Sequence, residues 1–264
     1  MANFHVISGA SEHPVHPVIR KIGPADLKEA LAKGWDDFRT FPTQVIFICL
    51  IYPIMGFVLG RMAVGYAVLP LLFPLMAGFA LVGPLAAVGL YELSRRREAG
   101  LETKWYHVFD VLKSPSIGAI AALGILLMII FIAWLYTAQG IYESLFGDKA
   151  PDSITQFASD VLHTSAGWKL ILLGNAAGFL FALVTLIVSA VSFPLLLDKD
   201  VGAAVAVETS VRAALKNPVT MALWGIIVAA LLVIGSFPFF IGLAIVMPVL
   251  GHATWHLYRR VVER

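Results

Sequence analysis

The chain is poor in cysteine and poor in charge. It has one cysteine in 264 residues, and Asp, Glu, Lys and Arg together make up only 14%. The lone Cys49 leaves no intrachain disulfide, no paired-cysteine metal knuckle and no thiol dyad. Its place inside an apolar run suits a small packing residue. The scarcity of charge excludes more. A soluble domain is about a quarter charged, whereas here apolar residues reach 59% and the mean hydropathy is +0.85. Nineteen basic against seventeen acidic residues leave a net charge of +2 with no dense basic stripe, so nucleic acid is not expected as a partner. The first 40 residues lack the apolar core of a secretory leader, so the first span is expected to act as the targeting signal. No catalytic or nucleotide-binding signature occurs, and neither an enzyme activity nor a cofactor is expected.

What is present is a series of uncharged runs. No Asp, Glu, Lys or Arg occurs in 40–60, 62–91, 114–142, 170–197 or 217–258. A spanning helix needs about 20 apolar residues, so the runs predict six spans, near 43–61, 68–91, 117–138, 169–194, 218–235 and 238–257. The last two share one run, broken at Gly235-Ser236-Phe237-Pro238, and read as a hairpin. The alternation of a barrel is absent and backbone groups in lipid must be satisfied within the chain, so the spans are helices. Sixteen of the nineteen Lys and Arg fall in the N-terminal segment, the second-to-third and fourth-to-fifth connections and the C-terminal tail. The positive-inside rule therefore predicts cytoplasmic termini. The main outer loop, 139–168, is expected to be flanked by Trp134 and Trp168 in an aromatic belt.

The arrangement repeats. Amphipathic stretches Leu27 to Pro42, Lys104 to Pro115 and Val201 to Pro218 each end at a proline that opens a span. The seventh and fourth residues before each proline are apolar: Trp35 and Phe38, Val108 and Val111, Val211 and Ala214. Helical spacing puts each pair on one face, with Asp36, Asp37, Asp110, Glu208 and Arg212 available to the other, as in helices lying in the cytoplasmic interface. The exits from Pro84 and Pro248 align without a gap, matching Tyr91 to Trp255, Leu93 to Leu257, Arg95 to Arg259 and Arg96 to Arg260. The expected fold is an all-α membrane protein of six transmembrane helices in three hairpins, each preceded by an interfacial amphipathic helix, a pseudo-threefold repeat. A flexible cytoplasmic tail over 1–22 would precede one transmembrane domain over 23–264, with repeat units near 23–98, 103–199 and 200–264.

Few residues suggest chemistry. His252 and His256 stand one helical turn apart, so both imidazoles share a face and could bind haem or a metal, although no Cys, Asp or Glu at ligand spacing completes a site. Hydrogen bonding to headgroups or neighbouring helix ends is therefore the preferred reading of the pair. Glu92 and His107 are predicted near the same boundary, which makes Glu92, His107, His252 and His256 a candidate polar cluster. No ionisable group is expected at mid-membrane depth, which weakens an ion-coupled carrier. Gly56 and Gly60, and Gly174, Asn175 and Gly178, have the small-residue spacing of helix packing.

The exit Pro84-Leu-Ala-Ala-Val-Gly-Leu-Tyr-Glu-Leu-Ser-Arg-Arg-Arg-Glu, the ending Pro248-Val-Leu-Gly-His-Ala-Thr-Trp-His-Leu-Tyr-Arg and the N-terminal Asp26-Leu-Lys-Glu-Ala-Leu-Ala-Lys-Gly-Trp-Asp-Asp-Phe resemble an uncharacterised bacterial integral-membrane family, domain of unknown function twenty-one eighty-nine. The resemblance covers about 20–260. It implies a place in the bacterial inner membrane and an association with respiratory proteins. The loose label of cytochrome c oxidase subunit I that members carry implies a haem-copper site. This chain departs from such a subunit, with too few spans and no sufficient set of buried histidines. The function expected is that of a non-enzymatic accessory, scaffold or assembly subunit of a membrane complex, in contact with lipid and with a protein partner or further copies of itself. The alternative is a small-solute channel or transporter.

Overall fold

A computed structural model describes residues 17–41, 69–148, 151–237 and 241–263. Among the described residues the fold is helical throughout, and the extended backbone forms one isolated antiparallel bridge, Ile19 to Val262. The helices are α1 (Pro24–Thr40), α2 (Leu69–Ala86), α3 (Val88–Glu98), a 3-10 helix (Trp105–Lys113), α4 (Ile117–Phe146), α5 (Ile154–His163), α6 (Ser165–Ser189), α7 (Ser192–Asp198), α8 (Gly202–Lys216), α9 (Pro218–Ser236) and α10 (Leu243–Val261).

Local chemistry sets several of these ends. Pro24 occupies the first turn of α1, where its missing N–H costs nothing, and the Asp26 carboxylate accepts the Gly23 N–H at 2.9 Å. Helix α3 stops at Gly100, whose φ of +67° suits glycine, while the Leu101 N–H returns to the Arg96 carbonyl at 2.9 Å. Ser153 caps α5 by accepting the Gln156 N–H at 3.1 Å.

Four helical stretches are long and apolar enough to cross a membrane: Leu69–Glu98, Ile117–Phe146, Ser165–Asp198 and Pro218–Ser236. They coincide with the second to fifth expected spans. The first, 43–61, lies outside the described residues, as do Gly56 and Gly60. The sixth, 238–257, falls on α10, which is not among the four. The second half of α10 carries His252, His256, Arg259 and Arg260 and is built into a polar junction. Much of the expected outer loop is helical, since α4 runs on to Phe146 and α5 follows.

The chain divides into two compact units. The first comprises Met1–Cys49, Gly83–Ile125 and Leu186–Arg264. In it α10 packs on α1 and α3, α3 carries the 3-10 helix, and α7 packs on α8. The backbone at 18–22, inside the expected flexible tail, is bonded on two sides. The Arg20 N–H donates to the Val261 carbonyl (2.7 Å), and the Glu263 N–H to that of Val18 (2.9 Å). Asn217 accepts the Ile22 N–H (2.9 Å), and Thr220 donates to the Ile22 carbonyl (3.0 Å).

The second unit comprises Leu50–Val82 and Leu126–Thr185. Its centre is Trp134, 3% exposed, packed with Leu81 and Ala138 and ringed by Phe131, Ala177 and Phe181. The indole N–H donates to the Pro74 carbonyl at 2.9 Å. Two glycines make room for the ring: a Cβ on Gly78 would stand 2.8 Å from it and one on Gly178 3.2 Å. Trp134 is therefore a core residue of this unit and not part of an aromatic belt, because an indole with a buried acceptor loses nothing by leaving the interface. Trp168 is exposed. Gly174 has open space beside it, and the exposed Asn175 donates to the Ile171 carbonyl of its own helix at 2.7 Å.

Candidate functional site: a buried aspartate joining three helices

Leu27, Ala30, Gly34 and Asp37 are the buried residues of α1, spaced so that they share one face. This face differs by about one residue from the expected one. Trp35 is 46% exposed and Phe38 half-buried, whereas Asp37 turns inward with 2% exposure. The cause lies in the backbones. A Cβ on Gly34 would sit 2.6 Å from the Ala253 nitrogen, so the glycine lets α1 meet α10 at a distance no larger residue allows. That close approach carries Asp37 in with it.

Asp37 is held from two other helices. Its Oδ2 accepts the Ser94 hydroxyl of α3 at 2.6 Å and Nε2 of His256 on α10 at 2.7 Å. Oδ1 accepts the Arg97 guanidinium at 2.5 Å, and Arg97 also donates to Asp36 at 2.7 Å. Burial alone would push the Asp37 carboxyl up, but the hydrogen bonds from His256, Ser94 and Arg97 outweigh it and hold it down at about 2. The carboxylate is ionised, which fixes the protons around it. An acceptor-only Asp37 takes the Ser94 proton and requires a proton on His256 Nε2. Ser94 Oγ then accepts from Nδ1 of His252, 2.8 Å away, which assigns the Nδ1–H tautomer to this fully buried ring. Nε2 of His252 is buried, and the Leu90 backbone lies beside the ring.

A second network adjoins the first through α3 and α10. Arg95 grips Glu92 with two hydrogen bonds, 2.7 and 2.8 Å. Asp198 accepts the Tyr258 hydroxyl at 2.6 Å and Arg259 at 3.1 Å, and burial together with the Asp198 charge pushes the Tyr258 phenol well up. Glu98 accepts from Arg259 and from the Trp255 indole, each at 3.1 Å. Both networks border a groove of about 510 Å³. It is lined by Arg20, Lys33, Arg97, Arg259, Arg260 and His256 together with Asp36, Asp37, Ser94 and Glu98.

The expected cluster of Glu92, His107, His252 and His256 is thus divided. The two histidines meet through Asp37 and Ser94. Glu92 belongs to the Arg95 pair. His107 accepts the Lys104 N–H at 2.9 Å and lies against Tyr106, joined to neither histidine by any hydrogen bond or ion pair among the described residues. Of the candidate haem or metal ligands, His252 directs one nitrogen to Ser94 and His256 one to Asp37. Among the described residues no three His, Cys, Asp or Glu side chains are grouped as metal ligands. Sequence reasoning missed Asp37, Ser94 and Asp198. The spacing of Leu27, Ala30 and Gly34 was the available signal for the first, since small residues at helical intervals mark the face of closest approach and Asp37 continues that row.

Residues 72–198 match the family described as "Predicted integral membrane protein (DUF2189)", the family that the three motifs resemble. The matched segment includes α3 with Ser94 and Arg97, and leaves α1 and α10 outside it. No curated protein and no solved structure matches the chain. The protein is an integral membrane protein whose apolar helices meet lipid.

Proposed function

We propose that the protein is a non-enzymatic accessory or scaffold subunit of a complex in the bacterial inner membrane, with six spans in three hairpins and both termini in the cytoplasm. The asymmetry of Lys and Arg along the chain supports that orientation. The observation that carries the reading is the 3-10 helix Trp105–Lys113. Its Trp105, Tyr106, Phe109 and Leu112 are all exposed, Leu112 at 67%. The helix is nonetheless firmly seated: Val108 lies where a Cβ on Gly89 would come within 2.9 Å of it, and Asp110 takes Arg96 at 3.3 Å. Exposed aromatics on a rigid support are the composition of a binding surface rich in anchor residues. A rigid surface binds without a large ordering cost.

The test is extraction of the tagged protein at its native level in a mild detergent, with native sizing and mass spectrometry, beside a Trp105→Ser, Phe109→Ser, Leu112→Ser variant. The reading expects a stoichiometric partner that the wild type retains and the variant loses. A lone species in both, together with solute flux in liposomes, would overturn it in favour of a channel or transporter.

A further inference from the structure

The groove beside Asp37 is not symmetrical in charge: five cationic side chains reach it, against three carboxylates. The five are not held alike. Arg97 is fixed by the buried Asp37 and by Asp36, and Arg259 by Glu98 and Asp198. Arg20, Lys33 and Arg260 pair nearer the surface. Arg20 meets Glu263 at 3.6 Å, Lys33 meets Glu29 at 3.1 Å, and Arg260 shares that same Glu29 and lies 3.9 Å from the half-buried Asp26. Pairs near the surface are weak, so these three cations can leave their partners for a better anion at small cost. The fixed Arg97 and Arg259 then supply a positive background that needs no rearrangement.

His256 also lines the groove, with its Nε2 committed to Asp37. A cavity of about 510 Å³ exceeds what a bare inorganic ion fills. Several arginines converging on one polar cavity match a phosphate group, two of whose oxygens together can take a guanidinium in two-point contact.

We propose that this groove binds the phosphate group of an anionic ligand, with Arg20, Lys33 and Arg260 as the contacting cations. Its chemistry is shared by a soluble phosphorylated molecule and by an anionic phospholipid headgroup, and binding here does not depend on the accessory reading.

The experiment uses the full-length protein in two arms, with three variants. The groove variant is Arg20→Gln, Lys33→Gln, Arg260→Gln. The control removes the same charge elsewhere, by Lys104→Gln, Lys113→Gln, Arg212→Gln. A charge-retaining variant, Arg20→Lys with Arg260→Lys, guards against a folding defect, and thermal melting is recorded for all. In phosphatidylcholine nanodiscs, inorganic pyrophosphate is titrated by calorimetry. In detergent, retention of phosphatidylglycerol is counted by native mass spectrometry. Saturable pyrophosphate binding that falls at least about tenfold in the groove variant, persists in the control and survives in the charge-retaining variant assigns the site to a soluble phosphate. One phosphatidylglycerol per chain with the same variant pattern assigns it to a headgroup. Binding of neither probe to the wild type, or equal loss in groove and control variants, would overturn the proposal.

Discussion

Each of the two compact units of this chain has a centre of its own, and the two centres are of opposite kinds. The first joins α1, α3 and α10 through an ionised, buried aspartate with hydrogen bonds from a serine, a histidine and an arginine. The second is centred on an indole whose single polar group is satisfied by a backbone carbonyl and whose ring fills the space that two glycines leave. A polar junction is specific but brittle, because removing one member leaves the others buried and unpaired. An apolar centre loses stability in proportion to the volume removed and leaves no charge behind.

The comparison breaks most sharply at Trp134. Trp134→Ala removes the centre of the second unit and should lower stability by about 3–5 kcal/mol, read by denaturant titration in micelles. Trp134→Phe keeps most of the packing and should cost about 1–2 kcal/mol for the lost hydrogen bond. Asp37→Ala is its counterpart in the first unit and should cost about 3–5 kcal/mol, because Arg97 loses its buried partner. The neighbouring Asp36→Ala, which loses only an exposed partner of Arg97, should cost under about 1 kcal/mol. Equal effects at positions 36 and 37 would show that α1 is turned the other way.

Acid should sharpen the same contrast. The carboxyl of Asp37 sits at about 2 in the folded protein, below its ordinary 3.8. A lowered carboxylate stabilises the fold fully above its unfolded value, and that contribution is lost as pH falls from about 4 towards 2. It amounts to about 2 kcal/mol. Wild-type stability should therefore fall over that window by about this much more than that of Asp37→Asn. Gly34→Val belongs with the large effects, since its side chain must push the α10 backbone at Ala253 away, and it should cost about 3 kcal/mol or more. The smallest is expected at Lys113→Ala, which breaks an exposed pair with Asp110 and should change stability by less than about 0.5 kcal/mol in the same titration.

The helical membrane class and the places of four apolar helices were legible because charge-free runs are a one-dimensional signal that lipid imposes directly. The three amphipathic stretches were legible too, each occupied by a helix. What escaped was rotation. Trp35 and Phe38 define a plausible apolar face, yet the backbone contact at Gly34 and Ala253 decides which side turns inward, and a partner helix more than two hundred residues away is invisible to local periodicity. The histidine pair was visible as a pair, but Asp37 and Ser94, which give it its partners, come from two other helices. Trp134 was placed by analogy with interfacial tryptophans, when Gly78 and Gly178 had already left space for a ring.

The most direct test is hydrogen exchange by mass spectrometry on the wild type and Asp37→Asn in nanodiscs. If Asp37 joins three helices, the variant loses protection together in 24–40, 88–98 and 243–261 while 126–146 keeps it. Unchanged exchange in the first three segments, or uniform loss across all four, would contradict the account.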